Sequence, residues 1–120
     1  MAYNNLGVAA MKKGAVEEAA RAFEKAVELD PKAKDALVNL GSLRTVLGRR
    51  KDALALFLQA SELDPKDGVL HNNIAVLYFQ EGSIQEAWNH TQKALALGAK
   101  VDPTFLEALY KTRRRGPCAG

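Results

Sequence analysis

An asparagine stands at residues 5, 39 and 73, and the residues around each nearly repeat: YNNLGVA from Tyr3, LVNLGSL from Leu37 and HNNIAVL from His71. Sliding the chain by 34 residues superimposes Leu6-Gly7 on Leu40-Gly41 and Ile74-Ala75, Gly14 on Gly48 and Gly82, and Ala19 on Ala53 and Ala87. Phe23 then falls on Phe57, Ala26 on Ala60 and Ala94, and Asp30-Pro31 on Asp64-Pro65. A period of this length, kept by small, aromatic and turn residues together, means that one supersecondary unit is repeated and buries its apolar face on its neighbours. In 120 residues there is room for three such units and a remainder, hence for one domain.

Inside each unit apolar residues return every three or four positions, which predicts first helices over 2–13, 35–47 and 69–81 and second helices over 17–29, 51–63 and 85–97. Gly14, Gly48 and Gly82 sit between them, where the chain must turn. Each unit is therefore an antiparallel helical hairpin. Gly7, Gly41 and Ala75 are expected to face Ala19, Ala53 and Ala87 so that the two backbones approach closely, with Phe23 and Phe57 filling the space toward the next hairpin.

The pattern resembles the tetratricopeptide repeat, whose unit carries an early aromatic, a Leu-Gly pair, two alanines flanking a second aromatic, and a closing proline. Tyr3, Leu6, Gly7, Ala19, Phe23, Ala26 and Pro31 match in the first unit, and Leu40, Gly41, Ala53, Phe57, Ala60 and Pro65 in the second. There Leu37 replaces the early aromatic and Arg44 stands where tyrosine is usual. The third unit keeps Ile74, Ala75, Tyr78, Ala87 and Ala94 but has Thr91 in place of the second aromatic.

The resemblance implies an all-α fold: a right-handed superhelical array of three antiparallel hairpins, with repeats at about 1–33, 34–67 and 68–101 inside a domain spanning 1–114. After Leu97 the chain reads LGAKVDPTF, which puts Pro103 four residues later than the period requires and lengthens the connection. Asp102-Pro103 can cap and start a seventh helix at about 103–114, because aspartate accepts free N–H groups and proline has none to leave unpaired. Its FLEALYK stripe can cover the last hairpin, as the end of a repeat array requires. Residues 115–120 are expected to form a flexible tail.

Stacked hairpins line the inner face of an array with their first helices, and in the family that face usually holds an extended peptide or a helix of a partner. Asn5, Asn39 and Asn73 share one repeat position expected on that face. An amide both donates and accepts, so a row of them can grip a peptide backbone without demanding a side chain. Asn4, Val8, Met11 and Lys12 from the first unit, Thr45 from the second, and Asn72, Val76 and Phe79 from the third are the neighbouring candidates for side-chain pockets. One subclass of the family clamps the terminal carboxylate of chaperone peptides with lysine, arginine and asparagine. Its positions read Asn4, Val8, Asn39, Val69 and Asn73 here; only Asn39 fits, and without the cations nothing offsets desolvation of a carboxylate.

The remaining chemistry is sparse. No phosphate-cradling glycine loop or Gly-x-Ser-x-Gly elbow is present, so no catalytic residue, cofactor or metal site is assigned. His71 and His90 lie in different helices without a third ligand; His71 is assigned to packing or hydrogen bonding, and His90 to the surface or to hairpin packing. The lone Cys118 has no partner for an internal disulfide. No run of about 18 apolar residues and no signal-peptide pattern occurs, which gives a cytoplasmic expectation. A net charge of +3, owed partly to Arg113, Arg114 and Arg115, disfavours neither solubility nor folding and does not by itself indicate nucleic acid or membrane as partners.

The leading expectation is a noncatalytic protein-interaction module that binds an extended peptide segment. Two others stand beside it: a scaffold that self-associates into homo-oligomers through its terminal repeat faces, and a targeting or regulatory subunit of an enzyme system.

Overall fold

In a computed structural model, residues 2–115 are described, and they form seven helices and no strand. The helices are α1 (Ala2–Lys12), α2 (Val16–Leu29), α3 (Lys34–Val46), α4 (Arg50–Leu63), α5 (Gly68–Gln80), α6 (Ile84–Ala96) and α7 (Pro103–Arg115). Helix ends fall within one residue of those the periodicity predicts. The chain divides into two compact units, Met1–Asp64 and Pro65–Gly120.

The first unit holds the hairpins α1–α2 and α3–α4. Each turns on a glycine in the left-handed region, Gly14 at φ 78° and Gly48 at φ 80°, where a β-carbon would be strained. The core joins Ala10, Ala19 and Phe23 of the first hairpin to Leu40 and Leu43 of α3, with Val8, Met11 and Leu56 packed around them.

The glycines of the first helices have a role beyond close backbone approach. A β-carbon at Gly7 would run into the Phe23 ring, and one at Gly41 would lie 3.0 Å from Phe57 Cε1. The missing side chain therefore makes a slot for the aromatic ring of the same hairpin, a contact that the expectation of glycine facing alanine did not include. Both rings are almost completely buried.

In the second unit α5 and α6 pair and α7 packs on α6. Here Ala75 closes the slot and Thr91 stands in place of the ring, its Oγ1 donating to the Ala87 carbonyl at 2.8 Å. Both residues are fully buried, along with Ile74, Ala87, Ala94 and Leu109 of α7.

The connection into α7 runs over six residues, 97–102, against four between α2 and α3. Gly98, at φ 83°, ends α6: its N–H bonds the Leu95 carbonyl and the Ala99 N–H bonds that of Ala94, each at 3.0 Å. This is a Schellman cap, the same pair of bonds that closes the turns at Gly14 and Gly48. Asp102 then starts α7 as expected, Oδ1 accepting from the Thr104 N–H at 2.9 Å.

Candidate functional site

In the first unit the first helices α1 and α3 flank an open groove of about 330 Å³. Val8, Met11, Phe23, Leu43 and Val46 give it an apolar floor and wall, and Lys12, Asn39 and Ser42 add polar groups. Four of the sequence-derived candidates, Val8, Met11, Lys12 and Asn39, are thus brought together. Thr45 is not part of the lining; it is exposed and its Oγ1 donates back to the Gly41 carbonyl at 2.9 Å, a bond a threonine makes within its own helix.

The asparagines do not behave alike. Asn39 Nδ2 donates to Asn4 Oδ1 at 2.9 Å, which ties α1 to α3 and leaves Asn39 one further amide hydrogen and its own carbonyl oxygen. Asn4 is buried and Asn5 is exposed. Asn5 therefore presents a whole amide to solvent, whereas Asn39 presents half of one.

The second unit carries Asn72, Asn73, Val76 and Phe79 on α5, all half-buried. Phe79 meets Phe105 of α7 edge to face, ring centres 5.5 Å apart, so part of its surface is already used in packing. Asn72 Oδ1 is buried and has no hydrogen-bond partner.

The two histidines, unremarkable in sequence, meet. His71 Nδ1 and His90 Nδ1 lie 3.0 Å apart, and His71 Nε2 lies 2.8 Å from the Pro65 carbonyl. A carbonyl only accepts, so His71 carries its proton on Nε2; in the neutral pair its Nδ1 then accepts from His90 Nδ1–H. Tyr78 stacks on His90 with ring centres 5.6 Å apart. Burial, Lys93 and His71 together lower the His90 pKa to about 4, and burial followed by the nearby Glu86 raises that of Tyr78. Among the described residues no three His, Cys, Asp or Glu side chains are grouped to hold a metal ion. Cys118 lies outside the described residues.

A second groove of the first unit, about 440 Å³, was not legible in sequence. Glu24, Glu28 and Asp52 border an apolar floor that includes Val27 and Leu56, and Arg44 Nη2 donates to Glu24 Oε2 at 2.9 Å. The signal was Arg44 itself, a charge where the repeat usually has tyrosine.

The fold and its grooves define a helical-hairpin repeat protein. The tetratricopeptide repeat profile matches residues 4–68 and again 38–100, and the chain belongs to that family of protein-interaction repeats. It is 36% identical over 78 residues to a peroxisomal targeting signal receptor of Komagataella phaffii, covering 64% of this chain and 14% of the relative. It is 32% identical over 103 residues to small glutamine-rich tetratricopeptide repeat-containing protein 2 of Mycosarcoma maydis, covering 86% and 27%. The chain thus spans about a seventh to a quarter of the length of these relatives. Among solved structures it resembles MamA (TM-score 0.76, 25% identity, 80% of this chain and 56% of that one). It also resembles the first repeat domain of Spaghetti (RPAP3) bound to an HSP90 peptide, with TM-score 0.79 and 19% identity over 92% and 86%. No helix among the described residues is long and apolar enough to cross a membrane.

Proposed function

We propose that the chain is a noncatalytic adaptor that holds an extended peptide segment of a partner protein against its first helices. The observation that carries this reading is the open groove between α1 and α3, apolar at its base and bordered by Asn39 and Ser42. Small or aliphatic side chains suit the floor, and the spare donor and acceptor of Asn39 and the exposed amide of Asn5 suit a peptide backbone. Asn73, Asn72 and Val76 offer the same residue types on α5. The likeness to targeting-signal receptors agrees with a protein that recognises segments of other proteins.

Panning a random peptide library on the full chain tests this. Selected peptides should lose affinity by about tenfold when Ser42→Arg fills the groove from an exposed position. Asn5→Ala should cost roughly fivefold, the worth of about one net hydrogen bond. Peptides bound equally well by both variants would remove the groove from the proposal. Self-association is a second reading, favoured by Tyr3 and Leu6, 41% and 51% exposed one turn apart on α1; a chain that sediments as a monomer throughout these titrations excludes it.

A further inference from the structure

The last turns of α7 carry a surface in the second unit that the groove reading leaves unused. Arg113 Cζ sits 4.2 Å from the centre of the Trp88 ring on α6, and Arg114 Cζ sits 5.9 Å from that of Tyr110. The two rings lean together with centres 6.4 Å apart, and Tyr110 is 53% exposed. Lys111 is paired with Glu107 at 2.9 Å. Arg113, Arg114 and Arg115 form no ion pair among the described residues.

The helix dipole accounts for cations at this end. It does not account for the ring beneath each of two of them. A guanidinium resting on an aromatic face loses conformational freedom before any ligand arrives, yet keeps N–H groups that match a carboxylate two at a time. Two such forks, with a third arginine beside them, form a preorganised receptor for carboxylates. We propose that this surface docks an acidic segment of a partner protein, a short run rich in aspartate or glutamate.

Nucleic acid fits less well. Binding of single strands relies on free aromatic faces for base stacking and on a basic stripe that follows the backbone. Here arginines already lie over both rings, and the cations are confined to the end of one helix. Stable docking on an anionic membrane draws on a longer basic cluster or on apolar side chains around the cations, and Tyr110 is the sole large exposed hydrophobic residue of α7.

Trp88 is the chain's only tryptophan, so its fluorescence reports directly on the Arg113 stack. The full chain is titrated with a short peptide of alternating glutamate and glycine, with an oligothymidylate of equal charge, and with phosphatidylserine vesicles, all at one salt concentration. The expected result is a saturable Trp88 change with the peptide at lower concentration than with the other two. Arg113→Gln combined with Arg114→Gln should weaken peptide binding by at least about tenfold. Arg113→Lys, which keeps the charge but not the fork, should lie between the two. Tighter binding of the oligonucleotide or the vesicles, no binding of the peptide, or an unchanged affinity in the double variant overturns the proposal.

Discussion

His71 and His90 can share one proton between their facing nitrogens, but not two. With His71 Nε2–H committed to the Pro65 carbonyl, a doubly charged pair would set N–H against N–H at 3.0 Å. The folded-state pKa of His90, about 4, lies below the ordinary 6.5, first because of burial and then because of Lys93 and His71. Between those two values the unfolded chain binds more protons than the folded one. The stability contributed by neutral His90 is thus complete above about pH 6.5 and is lost as pH falls through 4. Wild type should lose about 2 kcal/mol more than His90→Gln between pH 7 and pH 4 in urea unfolding, with carboxylate titration common to both and cancelling. Parallel losses in the two proteins would show that His90 accepts its proton without cost. Sequence assigned His71, which sits where Tyr3 and Leu37 sit in their units, to packing or hydrogen bonding, and His90 to the surface or to hairpin packing. Their meeting was not legible, because 19 residues separate them and the contact exists only once α5 lies on α6.

Among the elements, the hairpins are distinguished by how each fills the same slot. The first two use glycine and phenylalanine, and the third uses alanine and threonine. Alanine is the better helix former by about 1 kcal/mol, so a glycine in a helix interior has to be explained by what its missing β-carbon leaves room for. Gly7→Ala, driven into the Phe23 ring, should destabilise the chain by about 1–3 kcal/mol. Gly41→Ala, with 3.0 Å to Phe57 Cε1, should stay within about 1 kcal/mol of wild type because the propensity gain offsets a small ring movement. Urea midpoints for the two variants decide this, and a stabilised Gly7→Ala would mean that the Phe23 ring is free to move. The helices themselves were legible, since period and turn glycines mark them directly. The end of α6 was less so: the displaced Pro103 drew attention to a slipped register, whereas Gly98 had already closed the helix with the cap used in the hairpin turns. The loop there is longer, yet α7 begins only one residue later than a strict 34-residue spacing from Gly68 requires.

For the whole molecule, the question is what a net charge of +3 does to ligand choice. A charge this small, distributed over 120 residues, gives a weak long-range field, and it is screened beyond about 8 Å at physiological salt. Recognition must therefore be decided by local surfaces. The α1–α3 groove offers an apolar floor, the Asn39 amide, the Ser42 hydroxyl and one lysine; the end of α7 offers three arginines on and beside aromatic rings, without an ion pair among the described residues. Ionic strength separates them. Raising salt from about 50 mM to about 500 mM should weaken the glutamate peptide by roughly tenfold, because its carboxylates meet exposed cations. Over the same range, peptides selected on the groove should change by less than about twofold, since apolar burial and neutral hydrogen bonds carry little salt dependence. Equal salt slopes for both ligand types would mean that the charge of the chain as a whole, and not either local surface, governs what it binds; distinct slopes would establish two recognition chemistries on one short repeat chain.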